Sequence, residues 1–255
     1  MSGCAQFWDD VMYRPFSFKR VFLPDPDPMV VLHESNNPND RARALQRLKE
    51  PKQHGGSDDD QKLVLDILST AATADVHAYS RVCAIGALSH FKDPRAVQIL
   101  QASYFAAGKL ALESGPLVDK DRRDQQIHDI ECAALKALGD TKSTDAISVL
   151  VLALQQPPTD SKNQLVVLRS RQLRLTAARA LGNFDDKRAT APLLDVLHEE
   201  KDVAMLDGAR DALCQSTGKS YPADYRVWDD YLNQHGTPPE QGFDIKVIHW
   251  LGLGK

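Results

Sequence analysis

Residues 81–100 read RVCAIGALSHFKDPRAVQIL. Ala84, Ile85, Leu88 and Phe91 fall at i, i+1, i+4 and i+7, the spacing of one apolar helix face. Lys92-Asp-Pro then breaks the helix and starts another, because Asp accepts hydrogen bonds from a first helical turn and Pro fits its opening position. The second helix carries Val97, Ile99 and Leu100. Similar segments return as IECAALKALGDTKSTDAISVL at 130–150 and LTAARALGNFDDKRATAPLL at 175–194.

The recurrence acquires a period when second helices are aligned on their last core leucine. Those leucines are Leu48, Leu88, Leu138, Leu181 and Leu213, spaced by 40, 50, 43 and 32 residues. Four positions earlier stands an alanine each time: Ala44, Ala84, Ala134, Ala177 and Ala209. One position earlier stand Arg47, Ala87, Ala137, Ala180 and Ala212. Small residues let two helix axes approach, and leucine fills the groove that results. Seven positions before each leucine are Arg41, Arg81, Glu131, Arg174 and Leu206. A period near forty with two antiparallel helices per unit implies stacking, since one pair cannot bury both of its faces.

Outward from this core, the period is interrupted twice. AAGKLALESGPLVDKDRRD (106–124) and QQPPTDSKN (155–163) read as long loops, which account for the two larger spacings. Upstream, Asp27-Pro28 opens a short helix through Val30–Leu32. SNNPND is a turn, Arg41–Glu50 a helix, and Ser57 or Asp58 caps the next. Downstream, Gly218 closes the last repeat helix. Pro222–Gln234 is one more amphipathic helix, with Tyr225, Trp228, Tyr231 and Leu232. The reading divides the chain into an N-terminal tether at 1–26, a repeat body at 27–218 and a C-terminal capping helix and tail at 219–255.

These residues resemble the HEAT-repeat family in its short bacterial form: Arg, a small residue, Ala-Leu-Gly, a turn, then Ala-Val-x-x-Leu. The pattern is visible at 81–100, 130–150 and 174–194, and the resemblance spans about 28–218. It implies an all-α, right-handed α-solenoid of about five helical hairpins. It is specific for fold and uninformative for function, since such repeats serve many roles. The first unit is degenerate, and the fifth has Leu206 for the arginine and Arg210 where Ile85 stands. Both read as capping units.

The composition is that of a foldable chain, 42% hydrophobic and 26% charged over 255 residues. No run approaches the roughly eighteen apolar residues of a membrane span. The net charge of −4 argues against a dedicated nucleic-acid binder, which needs a basic surface. Charge is nevertheless uneven. Residues 122–184 carry nine Lys/Arg against six Asp/Glu, and residues 185–255 carry eight against thirteen.

The N-terminus reads MSGCAQFWDD. Gly3-Cys4 looks like the end of a bacterial lipoprotein processing box, in which the cysteine is lipidated. Only three residues precede it, so the charged and apolar regions of a signal peptide are not there. The expectation is an upstream start or a chain trimmed to its mature form. The adjoining stretch, FWDDVMYRPFSFKRVFLPDPDP, suits a tether whose Phe7, Trp8, Phe16, Phe18 and Phe22 fold back on the first repeat. On this reading Cys4 places the protein in the envelope, ahead of a cytoplasmic location.

Candidate chemistry is thin. His33-Glu34 and His198-Glu199 echo the iron-binding HE pairs of the HEAT-like deoxyhypusine hydroxylases. They end helices of the first and last units and cannot converge, so no metal site is expected. Gly218-Lys219-Ser220 lacks the glycine and the strand of a phosphate loop. The remaining histidines share no ligand spacing and read as surface or helix-end groups. Cys83, Cys132 and Cys214 fall beside apolar helix positions and read as core residues. No cofactor is implied, and no nucleophile lies near a base in sequence.

The clearest electrostatic feature is 161–184, where Lys162, Arg169, Arg171, Arg174 and Arg179 occur without a carboxylate. HEAT-like DNA glycosylases use such basic faces. Here the arginines do not form one stripe, and Arg174 occupies the repeat's structural position, where it should pair with a turn carboxylate. Arg169, Arg171 and Arg179 remain candidates for an anionic partner. The reading favoured is a non-catalytic scaffold that binds a protein partner on its concave face. Two alternatives accompany it: a bilin-lyase-like enzyme subunit or chaperone, and an anionic-partner or nucleic-acid binder.

Overall fold

The computed structural model describes residues 25–108, 120–157, 159 and 161–233. Cys4, the aromatic tether and the tail beyond Asn233 lie outside the described residues. Among the described residues eleven α-helices occur in this order: α1 (Pro28–Glu34), α2 (Pro38–Arg47), α3 (Asp58–Ala74), α4 (Ala78–Leu88), α5 (Pro94–Ala106), α6 (Lys120–Thr141), α7 (Ile147–Leu154), α8 (Gln164–Leu181), α9 (Lys187–Glu199), α10 (Val203–Thr217) and α11 (Tyr225–Asn233). There is no strand among the described residues.

Starts are written in side-chain acceptors. Asp27, Asn37, Ser57, Asp93, Asn163, Asp186 and Asp202 each accept a first-turn backbone N–H. Ser57 and Asp60 close a reciprocal capping box. Gly218 ends α10 with φ +70, a conformation that costs other residues a Cβ clash.

Each odd-numbered helix up to α9 packs on the even-numbered helix that follows it, and the even-numbered helices pack on one another. The second helices α2, α4, α6, α8 and α10 form one continuous layer, each against the next. The first helices form the other layer, in which α3 packs on α5 and α7 on α9. Between the layers lies the core, where Ala84, Leu88, Ala134, Leu138, Ala177 and Leu181 are fully buried. Neighbouring second helices touch at backbone distance. A Cβ built on Gly139 would stand 2.7 Å from the Ala180 Cβ, and one on Gly182 would stand 2.9 Å from the Ala212 Cα. The glycine after the core leucine and the alanine before it thus form a single contact between successive repeats.

The arginine of the repeat joins the two helices of a pair. Arg41 donates to the Leu32 carbonyl at the end of α1. Arg81, fully buried, donates from Nε to Asp75 O (2.7 Å) and from Nη2 to Thr73 O (3.1 Å). Arg174 donates from Nε to Leu154 O (3.1 Å) and from Nη2 to Glu200 Oε2 (2.6 Å), the turn carboxylate expected from its position. Each guanidinium therefore satisfies carbonyls that the end of a first helix leaves open. In the third pair Glu131 stands there instead, and burial raises its carboxyl above the usual range.

Three local expectations are corrected. Helix α2 begins at Pro38 under an Asn37 cap and ends at Arg47, so SNNPND is partly helix start and Leu48 is the residue after the helix. Helix α6 begins at Lys120, so the DKDRRD run is largely its first turns and not loop. His128 is buried within α6, its Nε2 3.5 Å from Cys132 Sγ, and is neither a surface nor a helix-end group. At the other end, α11 packs on α9 and buries Trp228, whose Nε1 donates to Pro222 O (2.9 Å).

Candidate partner-binding face

The second-helix layer presents one side to the core and the other outward. On the outward side a groove runs over α4 between α2 and α6. Gln46, Tyr79, Val82, Gly86, Ala133 and Lys136 line it. A second cleft, lined in part by Asn39, His77, Arg122 and Gln126, continues it past the start of α4, and Tyr79 belongs to both. Small residues make the groove. A Cβ on Gly86 would meet nothing within 4 Å, and Ala133 and Ala137 face it from α6. Its polar edge is partly neutralised, since Lys136 Nζ donates to Asp140 (2.6 Å) one turn on. A floor of valine, tyrosine and glycine between polar rims suits a laid-in segment of another chain.

The groove is chemically quiet. Burial pushes the Cys132 thiol up to about 11 and also raises Cys83, so both remain thiols at neutral pH. Among the described residues no three His, Cys, Asp or Glu side chains gather as a metal would require. His33-Glu34 and His198-Glu199 lie in α1 and α9, in the first and last pairs.

The structure does not bring the candidate arginines together. Arg169 faces α6, donating to Asp121 O (2.9 Å) and Gln125 Oε1 (3.1 Å), with Asp124 at 3.9 Å. Arg171 faces the other way and meets Asp202 at the start of α10 (3.3 Å). Arg174 is taken by Glu200. Arg179 is exposed farther along α8. One basic run in the sequence is therefore four separate placements, three of them committed to neighbours.

Sequence reasoning passed over Glu50. Its buried carboxylate accepts from the backbone N–H groups of Lys92 (2.6 Å) and Asp93 (3.0 Å), and from Gln61 Nε2 (3.1 Å). It ties the turn after the first pair to the turn after the second. A glutamate before a proline gives little warning of this, because its partners are backbone groups forty residues away.

Residues 173–199 match the family model described as PBS lyase HEAT-like repeat. No curated protein matches the sequence. The matched segment runs from Leu173 in α8 through the Asp186 turn to the end of α9, and it is the register equivalent of residues 81–100. Residues 173–199 are thus similar to one HEAT-like repeat, and the same alanine–leucine register recurs along the second helices of a two-layer helical stack.

Proposed function

We propose that the protein is a non-catalytic scaffold that holds a protein partner against the outward face of its second helices, the concave face of a solenoid. The observation that carries this reading is the groove over α4, where Gly86 and Ala133 leave room beside Tyr79 and Val82. Anchoring to the cell envelope through Cys4 belongs to the same proposal and rests on the Gly-Cys sequence. The test is capture of partners from native extract with the wild-type chain and with Gly86→Trp, which fills the groove. A partner retained by the first and lost by the second supports the reading. A partner held equally by both removes the groove from it.

A second reading takes its support from the description of the matched family, which names a lyase. On it the chain is a bilin-lyase-like subunit or chaperone. Incubation of the purified chain with a bilin, followed by absorbance spectroscopy of the desalted protein, decides the matter. A visible band that travels with the protein favours this reading, and a colourless protein removes it.

A further inference from the structure

A stacked array of hairpins has two edges, one holding the turns within pairs and the other the turns between pairs. Exposed apolar side chains gather on the first. Of the ten large ones among the described residues, only Val30 and Leu63 lie away from it. Val76 sits in the α3–α4 turn, Phe105 and Leu152 near the ends of α5 and α7, Leu165 and Leu168 in the first turns of α8, and Val203 at the start of α10. Leu165 and Leu168 are about half exposed (48% and 47%), and Val203 is 70% exposed.

Among the described residues, charge on this edge is one-sided in its middle. Lys120, Arg122 and Arg123 open α6 and Lys162 precedes α8, and none of the four has an ion pair among the described residues. The carboxylates beside them are engaged: Asp124 by Arg169, Asp202 by Arg171, Glu200 by Arg174, and Asp121 is also partnered. The exposed Glu34 and Glu199 belong to the first and last pairs. The first turns of α6 and α8 are locked together through Arg169, so the cations and Leu165 and Leu168 are held as one unit.

We infer that this edge docks on an anionic membrane surface, with Leu165, Leu168 and the neighbouring apolar side chains in the headgroup layer and the cations at the phosphates. Val76 and Tyr79 line the cleft at the start of α4, whereas Phe105, Leu152, Leu165, Leu168 and Val203 protrude from separate helix ends and line neither that cleft nor the groove over α4. A protein partner needs shape complementarity to use such points, whereas a bilayer interface conforms to them. Basic residues beside the inserted apolar groups then add attraction to acidic lipids. Arg122, Val76 and Tyr79 are shared with the cleft that continues the groove over α4, whereas Leu165, Leu168, Arg123 and Lys162 line neither, and the contact does not depend on an acyl chain at Cys4.

The test uses the full chain with Cys4→Ser, so that no lipid anchor can contribute, and flotation with vesicles. Binding is expected to equimolar phosphatidylglycerol and phosphatidylcholine, to weaken as salt rises, and to be near background with phosphatidylcholine alone. Leu165→Glu with Leu168→Glu should lower partitioning about tenfold. Arg123→Gln with Lys162→Gln should lower it on the order of thirtyfold. All four sites are exposed or half-buried, and unchanged helicity and melting of each variant show that it folds. No flotation with the anionic vesicles overturns the inference, as does flotation that survives both double variants. A doubled mass by light scattering that Leu165→Glu with Leu168→Glu halves, without vesicle binding, assigns the edge to a second copy and overturns it too.

Discussion

The two edges of the stack are made of different materials. Between pairs the chain turns tightly: Ser89–Asp93 and Gly182–Asp186 each connect helices in five residues, with Asp93 and Asp186 capping the next helix. Glu50 reaches across from the first such turn to the second, and Ser216 Oγ donates to Phe184 O (2.7 Å) from the last helix to the fourth turn. Within pairs the connections are uneven in length: three of the five take three residues (35–37, 75–77 and 200–202), and two are long. Both long insertions, 107–119 and 155–163, fall there, and helices α6 and α8 outrun their partners: 22 and 18 residues against 13 and 8. Both edges carry cross-links between repeats, Glu50 and Ser216 on one and Arg169, Arg171 and Arg174 on the other, but the exposed apolar side chains gather on the second. A solenoid needs only one edge to be regular, which leaves the other available for contacts.

The largest test of that contrast is Glu50→Ala. It strips the acceptor from two backbone N–H groups and from the buried Gln61, and a buried donor left without a partner costs about 1–3 kcal/mol. The expected loss is about 3 kcal/mol in a urea titration, with the first two pairs losing hydrogen-exchange protection before the rest. A loss below about 1 kcal/mol would mean that the cross-link does not set the spacing.

Next in size is Gly139→Val. Its side chain would run into Ala180, so α6 and α8 must separate, at a cost of about 2 kcal/mol by overpacking. Gly86→Ala is the control on the same layer. Nothing stands within 4 Å, and alanine is the better helix former, so a gain of about 0.5–1 kcal/mol is expected. Equal and small effects at both positions would remove the glycine–alanine contact from the account of how repeats stack.

Acid probes the turn between the second and third pairs through Asp93. The Arg95 side-chain hydrogen bonds hold the Asp93 carboxylate down at about 2, with further help from the Arg95 backbone N–H and Gln61. An unfolded aspartate titrates near 3.9. Its pKa is depressed in the fold, so this stabilisation is complete above about pH 4 and is lost as pH falls toward 2. Asp93→Asn should flatten the melting temperature across that window. An unchanged acid limb in the variant would show that other carboxylates govern it.

How much of this is legible in the sequence depends on where the information sits. The alanine and leucine at four-residue spacing are local, and so are the Asp-Pro and Asn-Pro starts, so the two-layer stack can be read from them directly. Arg174 can be read too, because its register position is the one from which Arg41 and Arg81 also reach the end of a first helix. Glu50 cannot, since its acceptor role depends on a turn more than forty residues away. Nor can the dispersal of Arg169, Arg171 and Arg179. Their sequence neighbours carry no carboxylate, and those that neutralise them arrive from α6 and the α9–α10 turn. The start of α6 hides because its charged run has the composition of a loop, and only pairing with α8 through Arg169 makes helix the better state.

The smallest expected effect is at the edge that holds the turns within pairs, and it bears most directly on what that edge is for. Leu165 is about half exposed in the first turn of α8, one helical turn from Leu168. A leucine that contributed to the core would cost about 2–5 kcal/mol on truncation. Leu165→Ser should instead change stability by no more than about 0.5 kcal/mol, the range of surface substitutions. The same experiment on Leu138, fully buried in the neighbouring helix, supplies the upper bound. If Leu165→Ser is silent in stability, the exposed leucine is free of a folding role and its placement calls for a contact outside the chain. If it destabilises as a core leucine does, the edge belongs to the fold, and the two edges differ only in how they are built.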